Sequence, residues 1–351
     1  MPRPRVLTWH VHGNYLLYLS HADADFYLPT RPDGVPGYGG RGTTFPFGPN
    51  VHDVPAEAVR GLEFDCVLFQ CRRNYEIDQV DILSAAQRRL PRIYLEHDTP
   101  PGDPTAARHW FDDPGGLLVH VTPFNALFWD NGRTPTRVID HGVAVPDGLA
   151  YSGELARGLV VVNHLRQRGR RLGADVFEQA RRDVPLDLVG MDAESLGGLG
   201  EVFPPDLPAF MTRYRFFFHP IRFTSLGLAL IEAMMLGLPV VGVAATELVT
   251  VVRNGESGFI DTDAGKLVEA MRLLLRDPAE ARRLGENARD AANERFNIHR
   301  FARDWERTFA DVTGVQRSES AAPAREALSS LAGAAGSLST THEEPQCAGS
   351  R

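Results

Sequence analysis

Short apolar runs alternating with amphipathic stretches recur twice along this chain, and the two series are separated by a lapse into Asp, Gly and Ser between residues 146 and 158. Strands spaced by helical stretches imply parallel pairing, because a parallel neighbour is reached only through a crossover, and the crossover helices then cover the sheet. In the first series residues 5–12, 64–70, 92–96, 117–121 and 137–139 read as strands. Residues 75–90, with Ile77, Val80, Leu83, Ala86 and Leu90 at helical spacing, and residues 123–130 read as helices. Gly13 reads as the turn that ends the first strand, and the Gly/Pro-rich stretch 34–49 as a loop. In the second series 159–163, 186–190, 216–219 and 240–243 read as strands, and 174–182, 207–214, 225–236 and 266–276 as helices. Asp277-Pro278 then reads as a helix start, and Phe301, Trp305 and Phe309 place an aromatic stripe on a last helix over 296–309. The expectation is an α/β chain of two Rossmann-like, doubly wound domains, residues 1–148 and 149–312, facing each other across a cleft. Residues 313–351 carry no aromatic side chain and are rich in Ala, Ser, Gly and Glu, so they read as a disordered tail.

Composition narrows the class of partner. Of 351 residues 43% are hydrophobic and 23% charged, as in a soluble globular chain, and the formal net charge of −8 without a long basic run argues against nucleic acid. Cys66, Cys71 and Cys347 form neither a disulfide framework nor a metal-site pattern, which reads as reduced thiols in a cytoplasmic protein. No apolar run reaches the ~18 residues that cross a bilayer, so no transmembrane segment is expected. The basic start Met1-Pro-Arg-Pro-Arg is followed by a run broken at His10, His12, Gly13 and Asn14, unlike a signal peptide. His10 and His12 share one side of a strand, but no third ligand has convincing spacing, so no metal is expected.

The segment 219–241, His-Pro-Ile-Arg-Phe-Thr-Ser-Leu-Gly-Leu-Ala-Leu-Ile-Glu-Ala-Met-Met-Leu-Gly-Leu-Pro-Val-Val, carries the most chemistry. It follows a strand and opens a helix. Thr224, Ser225, Leu226 and Gly227 then offer free backbone N–H groups at a helix N-terminus, an anion site by geometry and by dipole. Glu232 follows inside an apolar stretch, where a carboxylate is costly without a partner. Together these read as a phosphate cradle with a carboxylate placed to bind hydroxyls.

This segment resembles the signature of retaining GT-B glycosyltransferases of family 4: Pro220, Gly227, Leu228, Glu232, Ala233, Met234, Gly237, Pro239, Val240 and Val241 fall in register. The resemblance extends to 246–259, to Tyr94-Leu-Glu-His-Asp, and to 119–124 and 137–143. It implies that Glu232 binds the ribose of a nucleotide-diphosphate sugar, that His97 lies near the transferred sugar, and that Thr224 stands where the family has a glutamate facing that sugar. It also implies arginines after the first strand of the second domain that neutralise the diphosphate: Arg166 and Arg171, with Arg168 and Arg170 as rivals. Gly13 would belong to an acceptor-side loop. The implied activity is metal-independent transfer of a sugar, with retention, from a nucleotide sugar to the hydroxyl of a small-molecule, glycan or lipid-linked acceptor, with no bound cofactor. A non-catalytic binding protein and a sugar-nucleotide epimerase are the alternatives. Because the tail lacks apolar periodicity, truncation after Gly314 is expected to leave the melting temperature nearly unchanged; a large loss of soluble protein would show that the tail packs on the fold.

Overall fold

The computed structural model describes residues 3–314, so the expected tail lies, from residue 315 on, outside the described residues. The first series comprises β1 (Arg5–Thr8), α1 (Gly13–Leu19), β2 (Asp25–Thr30), β3 (Val51–Pro55), β4 (Cys66–Phe69), α2 (Gln79–Ile82), β5 (Arg92–Glu96), β6 (Gly116–His120), α3 (Pro123–Phe128) and β7 (Thr136–Val138). Its seven strands form one parallel sheet in the order β3-β2-β1-β4-β5-β6-β7. The second series comprises β8 (Leu155–Val161), α4 (Leu165–Leu172), α5 (Ala174–Ala180), β9 (Leu186–Val189), α6 (Leu207–Met211), β10 (Tyr214–His219), α7 (Leu228–Met235), β11 (Val240–Val243), α8 (Leu248–Val251), β12 (Gly258–Asp261), α9 (Ala264–Arg276), α10 (Pro278–Arg295) and α11 (Ile298–Thr313). Its sheet is parallel with the order β12-β11-β10-β8-β9. The order reverses beside β1 in the first sheet and beside β8 in the second, the positions beyond which doubly wound sheets bind ligands.

The central strands read clearly because both of their faces are covered: β4 and β10 are buried at every residue. Strands β2, β3 and β12 escaped the sequence reading. β12 is the edge of the second sheet, and β2 and β3 lie toward one edge of the first, where Pro29 and Pro55 are tolerated and His52 and Asp53 leave no continuous apolar run. Strand β8 begins at Leu155, inside the stretch read as separating the two series, and the helix expected over 207–214 stops at Met211 so that Tyr214 starts β10. Three further expectations are corrected. The first strand ends at Thr8, and Gly13 opens α1 instead of turning a loop; a Cβ there would lie 2.0 Å from Cε2 of Phe45, so glycine is needed for close packing. The helix expected over 75–90 is broken into a π-turn at Asn74–Asp78, the short α2 and a 3-10 turn at Gln87–Arg89. Ser84 and Gln87 exchange backbone-to-side-chain hydrogen bonds and start a new turn, while Ile77 and Val80 face solvent. The helix expected from residue 225 begins at Leu228, with Gly227 as its N-cap.

Helix α7 ends in a Schellman motif. Gly237, at φ +89°, donates to Met234 O, and Leu238 donates to Ala233 O, before Pro239 forbids continuation. Asp277 caps α10 through the amides of Ala279 and Glu280. The last helix, α11, leaves the second sheet and packs on α1 and β4 of the first. Phe301, Trp305 and Phe309 are fully buried there, Phe309 edge-on to Phe26, and the Trp305 indole donates to the Tyr15 hydroxyl at 3.2 Å. One apolar core therefore runs from Val6 and Leu16 through Leu226, Ile231 and Met234 to Trp305. Truncating Trp305 to Ala should cost about 3–5 kcal/mol of unfolding free energy. Leu127→Ala, at a side chain 79% exposed, should stay within about 0.5 kcal/mol. Denaturant midpoints of the two variants check the contrast.

Candidate functional site

The loops and helices that follow the strands of the two sheets meet, and four polar contacts among the described residues join them there. The Arg171 guanidinium Nη2 donates to Thr99 Oγ1 at 2.7 Å, and Asn125 Nδ2 to Ser225 Oγ at 3.3 Å. The Phe124 amide donates to Glu247 Oε2 at 2.9 Å, and the Tyr18 hydroxyl to Glu232 Oε1 at 2.7 Å.

The arginine-rich helix α4 is kinked at Gly169, whose φ of +54° and ψ of −134° are open to glycine. The kink sends its arginines in different directions. Arg166 Nε donates to Ser195 O at 2.9 Å, and Arg170 pairs with Asp175. Arg171 donates to Phe223 O and lies 5.3 Å from the centroid of that ring. Arg168 has no hydrogen-bond or ion-pair partner among the described residues, and Asp98, at the end of β5, is the opposite charge acting on it. The Arg171 carbonyl accepts from the amides of Arg222 and Phe223, and Gly173 sits so close to Pro220 that a Cβ would lie 2.0 Å from its carbonyl oxygen. These contacts lock the arginine turn against the loop that leads into α7.

Beyond that lock, the amides of Thr224, Ser225, Leu226 and Gly227 donate to no acceptor among the described residues, immediately ahead of the eight-residue α7. Thr224 is half-buried, whereas Ser225 and Leu226 are buried. Four free amides in sequence at the positive end of a helix suit a polyanionic group. Glu232 lies in the second turn of α7 and is 5% exposed. Burial raises the pKa of its carboxyl group, and the hydrogen bond from Tyr18 opposes that rise. The carboxylate is thus already partnered across the cleft.

His97 follows β5. Its ring is tilted by 42° against that of His12, with centroids 3.9 Å apart, and stands edge-on to Tyr15 at 4.7 Å; its Nε2 has no partner among the described residues. Burial holds it well below its usual range, and His12 and His141 push the same way. Asn125 links it to the α7 loop, donating to both His97 O and Ser225 Oγ. Gly13 lies beneath Phe45 of the loop 31–50. His10 Nδ1 is hydrogen-bonded with Gly40 O, and among the described residues no group of His, Cys, Asp or Glu is arranged to hold a metal ion. The structure thus gathers Arg168, Arg171, Thr224–Gly227, Glu232 and His97 along one seam, while Arg166 turns to the Ser195 loop. Sequence reasoning missed Tyr18, Thr99, Asn125 and Glu247. A usable signal existed for Asn125, because Thr122-Pro123 is an N-cap followed by an N1 proline, and Thr122 Oγ1 accepts from the Asn125 amide.

With this geometry in place, solved structures of known proteins show the same architecture. Sucrose-phosphate synthase from Thermosynechococcus elongatus superposes with a TM-score of 0.65 at 17% identity, covering 90% of this chain and all of that one. Anabaena HepE in complex with UDP-glucose superposes at 0.61 with 16% identity, covering 88% of this chain and all of that one. The fold is GT-B. Residues 195–291 of this GT-B chain match the family model "Glycosyl transferases group 1". N-acetyl-alpha-D-glucosaminyl L-malate synthase from Bacillus anthracis is 30% identical over 90 residues, which cover 25% of this chain and 24% of that relative. The matched stretch spans no more than about a quarter of the length of the curated relatives. No helix among the described residues is long and apolar enough to cross a membrane.

The buried histidines make the seam sensitive to acid. Burial lowers the pKa of His141 to about 4, from an ordinary 6.5. The unfolded chain therefore takes up a proton that the folded chain refuses, and stability present above pH 6.5 is lost as pH falls toward 4. For His141 alone the loss between pH 7 and 5 is about 2 kcal/mol. Glu96 and Glu232, raised by burial, act in the opposite sense, so the comparison with a variant isolates the histidine. His141→Asn should lose less stability than the parent between pH 7 and pH 5 in urea unfolding; equal losses would remove His141 from the account.

Proposed function

We propose that this chain is a glycosyltransferase that moves a sugar from a nucleotide-diphosphate sugar to an acceptor hydroxyl, with retention and without a metal ion or bound cofactor. One observation carries the reading: the unengaged amides of Thr224, Ser225, Leu226 and Gly227 at the N-terminus of α7, beside Arg168 and Arg171. A diphosphate fits that arrangement by charge and by donor geometry. The match of residues 195–291 to the group 1 family and the GT-B fold support the same assignment. Glu232 would accept from the ribose hydroxyls. Arg168 would take the diphosphate role in place of Arg166, since Arg166 is engaged at Ser195 and Arg168 has no hydrogen-bond or ion-pair partner among the described residues. The amides and guanidinium groups would stabilise charge as it gathers on the leaving diphosphate, the electrostatic part of catalysis. His97 and Thr224 would border the sugar, and the acceptor would enter beside α1 and the loop 31–50. A small molecule, a glycan or a lipid-linked sugar suits that role, in a cytoplasmic setting consistent with the buried thiols of Cys66 and Cys71.

A second reading, a non-catalytic nucleotide-sugar binder, is favoured by Thr224, where the resembling family has a carboxylate, and by the engagement of Glu232 with Tyr18. Turnover across a panel of nucleotide sugars separates the two. Wild type should hydrolyse or transfer at least one donor. Arg168→Ala should lower turnover by about tenfold or more, the worth of a charge-assisted hydrogen bond, while Arg166→Ala changes it little. Thr224→Glu should also lower turnover, because it adds a negative charge beside the diphosphate. A wild type that transfers nothing, together with a Thr224→Glu variant that gains activity, would establish the non-catalytic reading.

A further inference from the structure

Glu232 is the only carboxylate on α7, and its surroundings are almost wholly apolar. The elements packed on α7 present Leu207 and Met211 from α6, Phe217 from β10, and Ala288 and Ala292 from α10, all in the same core. His219 ends β10 and is also buried, and burial alone keeps it neutral, with a pKa near 4. Tyr214, on β10, directs its hydroxyl to Asp187. Tyr18 of α1 is thus, among the described residues, the one titratable group that acts on the Glu232 carboxyl. It is itself buried, and it comes from the opposite domain. Its hydroxyl takes Oε1 at 2.7 Å, and Oε2 is left without a protein partner among the described residues.

We propose that Tyr18 is a positioning residue for nucleotide recognition: its hydroxyl fixes Oε1 of Glu232 and stabilises the ionised carboxylate, so that Oε2 is presented to a ribose hydroxyl. This rests on the reading of Glu232 as a ribose ligand. A buried carboxylate is costly unless hydrogen bonds replace its hydration. The single donor that does so here reaches over from the first domain, so recognition on the second domain depends on the approach of the first. Removal of the Tyr18 hydroxyl leaves the carboxyl group in an apolar core with no donor, where it takes up a proton more readily. A protonated Glu232 carries no charge to attract a ribose hydroxyl.

Calorimetric titration with UDP, GDP and ADP across pH 6–9 tests the proposal on wild type, Tyr18→Phe and Glu232→Gln. Melting curves of each variant establish that it is folded. For the nucleotide that wild type binds, Tyr18→Phe should bind about tenfold or more weakly at pH 7 and recover affinity as the pH rises. Glu232→Gln should bind weakly at every pH, and adding Tyr18→Phe to it should change little further. A folded Tyr18→Phe that binds like wild type, or that binds weakly with no recovery at high pH, overturns the role of Tyr18. Wild-type affinity retained in Glu232→Gln overturns the ribose assignment beneath it, and a wild type that binds none of the three overturns both.

Discussion

The burial of α11 against the first sheet is the interaction on which the rest of the structure depends. A chain of two α/β domains joined by one linker has no fixed relation between its halves. Here the last helix of the second half buries Phe301, Trp305 and Phe309 against α1, β4 and Phe26 of β2. Gly142 admits it: a Cβ there would lie 2.1 Å from Cβ of Phe301. Arg300 holds the carbonyls of Asp140 and His141, and Arg295 bridges Asp140 to Glu247. These contacts join the crossing points of the chain to the cleft.

With the halves fixed, sheet topology decides what meets in the cleft. Each sheet reverses its strand order beside a central strand, and the loops there cannot continue a crossover helix on the same side. The arginine turn after β8 and the loop after β10 are locked together at Gly173 and Pro220. The lock leaves four amides of the second loop unpaired. Orphan amides at a helix start ordinarily find a side-chain cap, as Asp263 and Asp277 provide for α9 and α10. No side chain caps α7, because Gly227 occupies the cap position. Helices α1, α2, α4, α5, α6 and α8 lack a side-chain cap as well, so what suits α7 to a ligand anion is the run of four unpaired amides ahead of it, beside Arg168 and Arg171.

Much of this was legible in the sequence, for identifiable reasons. Strands β4, β5, β10 and β11 are apolar on both faces, and the stop at Gly237-Leu238-Pro239 is chemically unambiguous. The edge strand β3 and its neighbour β2 were not legible, since proline and polar residues erase the pattern. The stretch 75–90 has helical spacing yet breaks, because Asn74, Ser84 and Gln87 bond the backbone locally and compete with a continuous helix. In the site, residues 224–227 and Glu232 were visible because neighbours in sequence carry the chemistry. Tyr18, Thr99 and Asn125 were invisible as partners, because their contacts span 72 to 214 residues and arise only once α11 brings the domains together. The choice among the four arginines was likewise out of reach, since it turns on the φ and ψ of Gly169.

The central claim is that an anionic ligand satisfies the four free amides ahead of α7. Hydrogen–deuterium exchange of the whole chain, followed at residue level with and without nucleotide diphosphates, reads those amides directly. The account predicts that the amides of Thr224, Ser225, Leu226 and Gly227 exchange rapidly in the free protein and are protected by the nucleotide that binds. Bound nucleotide with unchanged exchange at these four positions, and protection elsewhere, would contradict it.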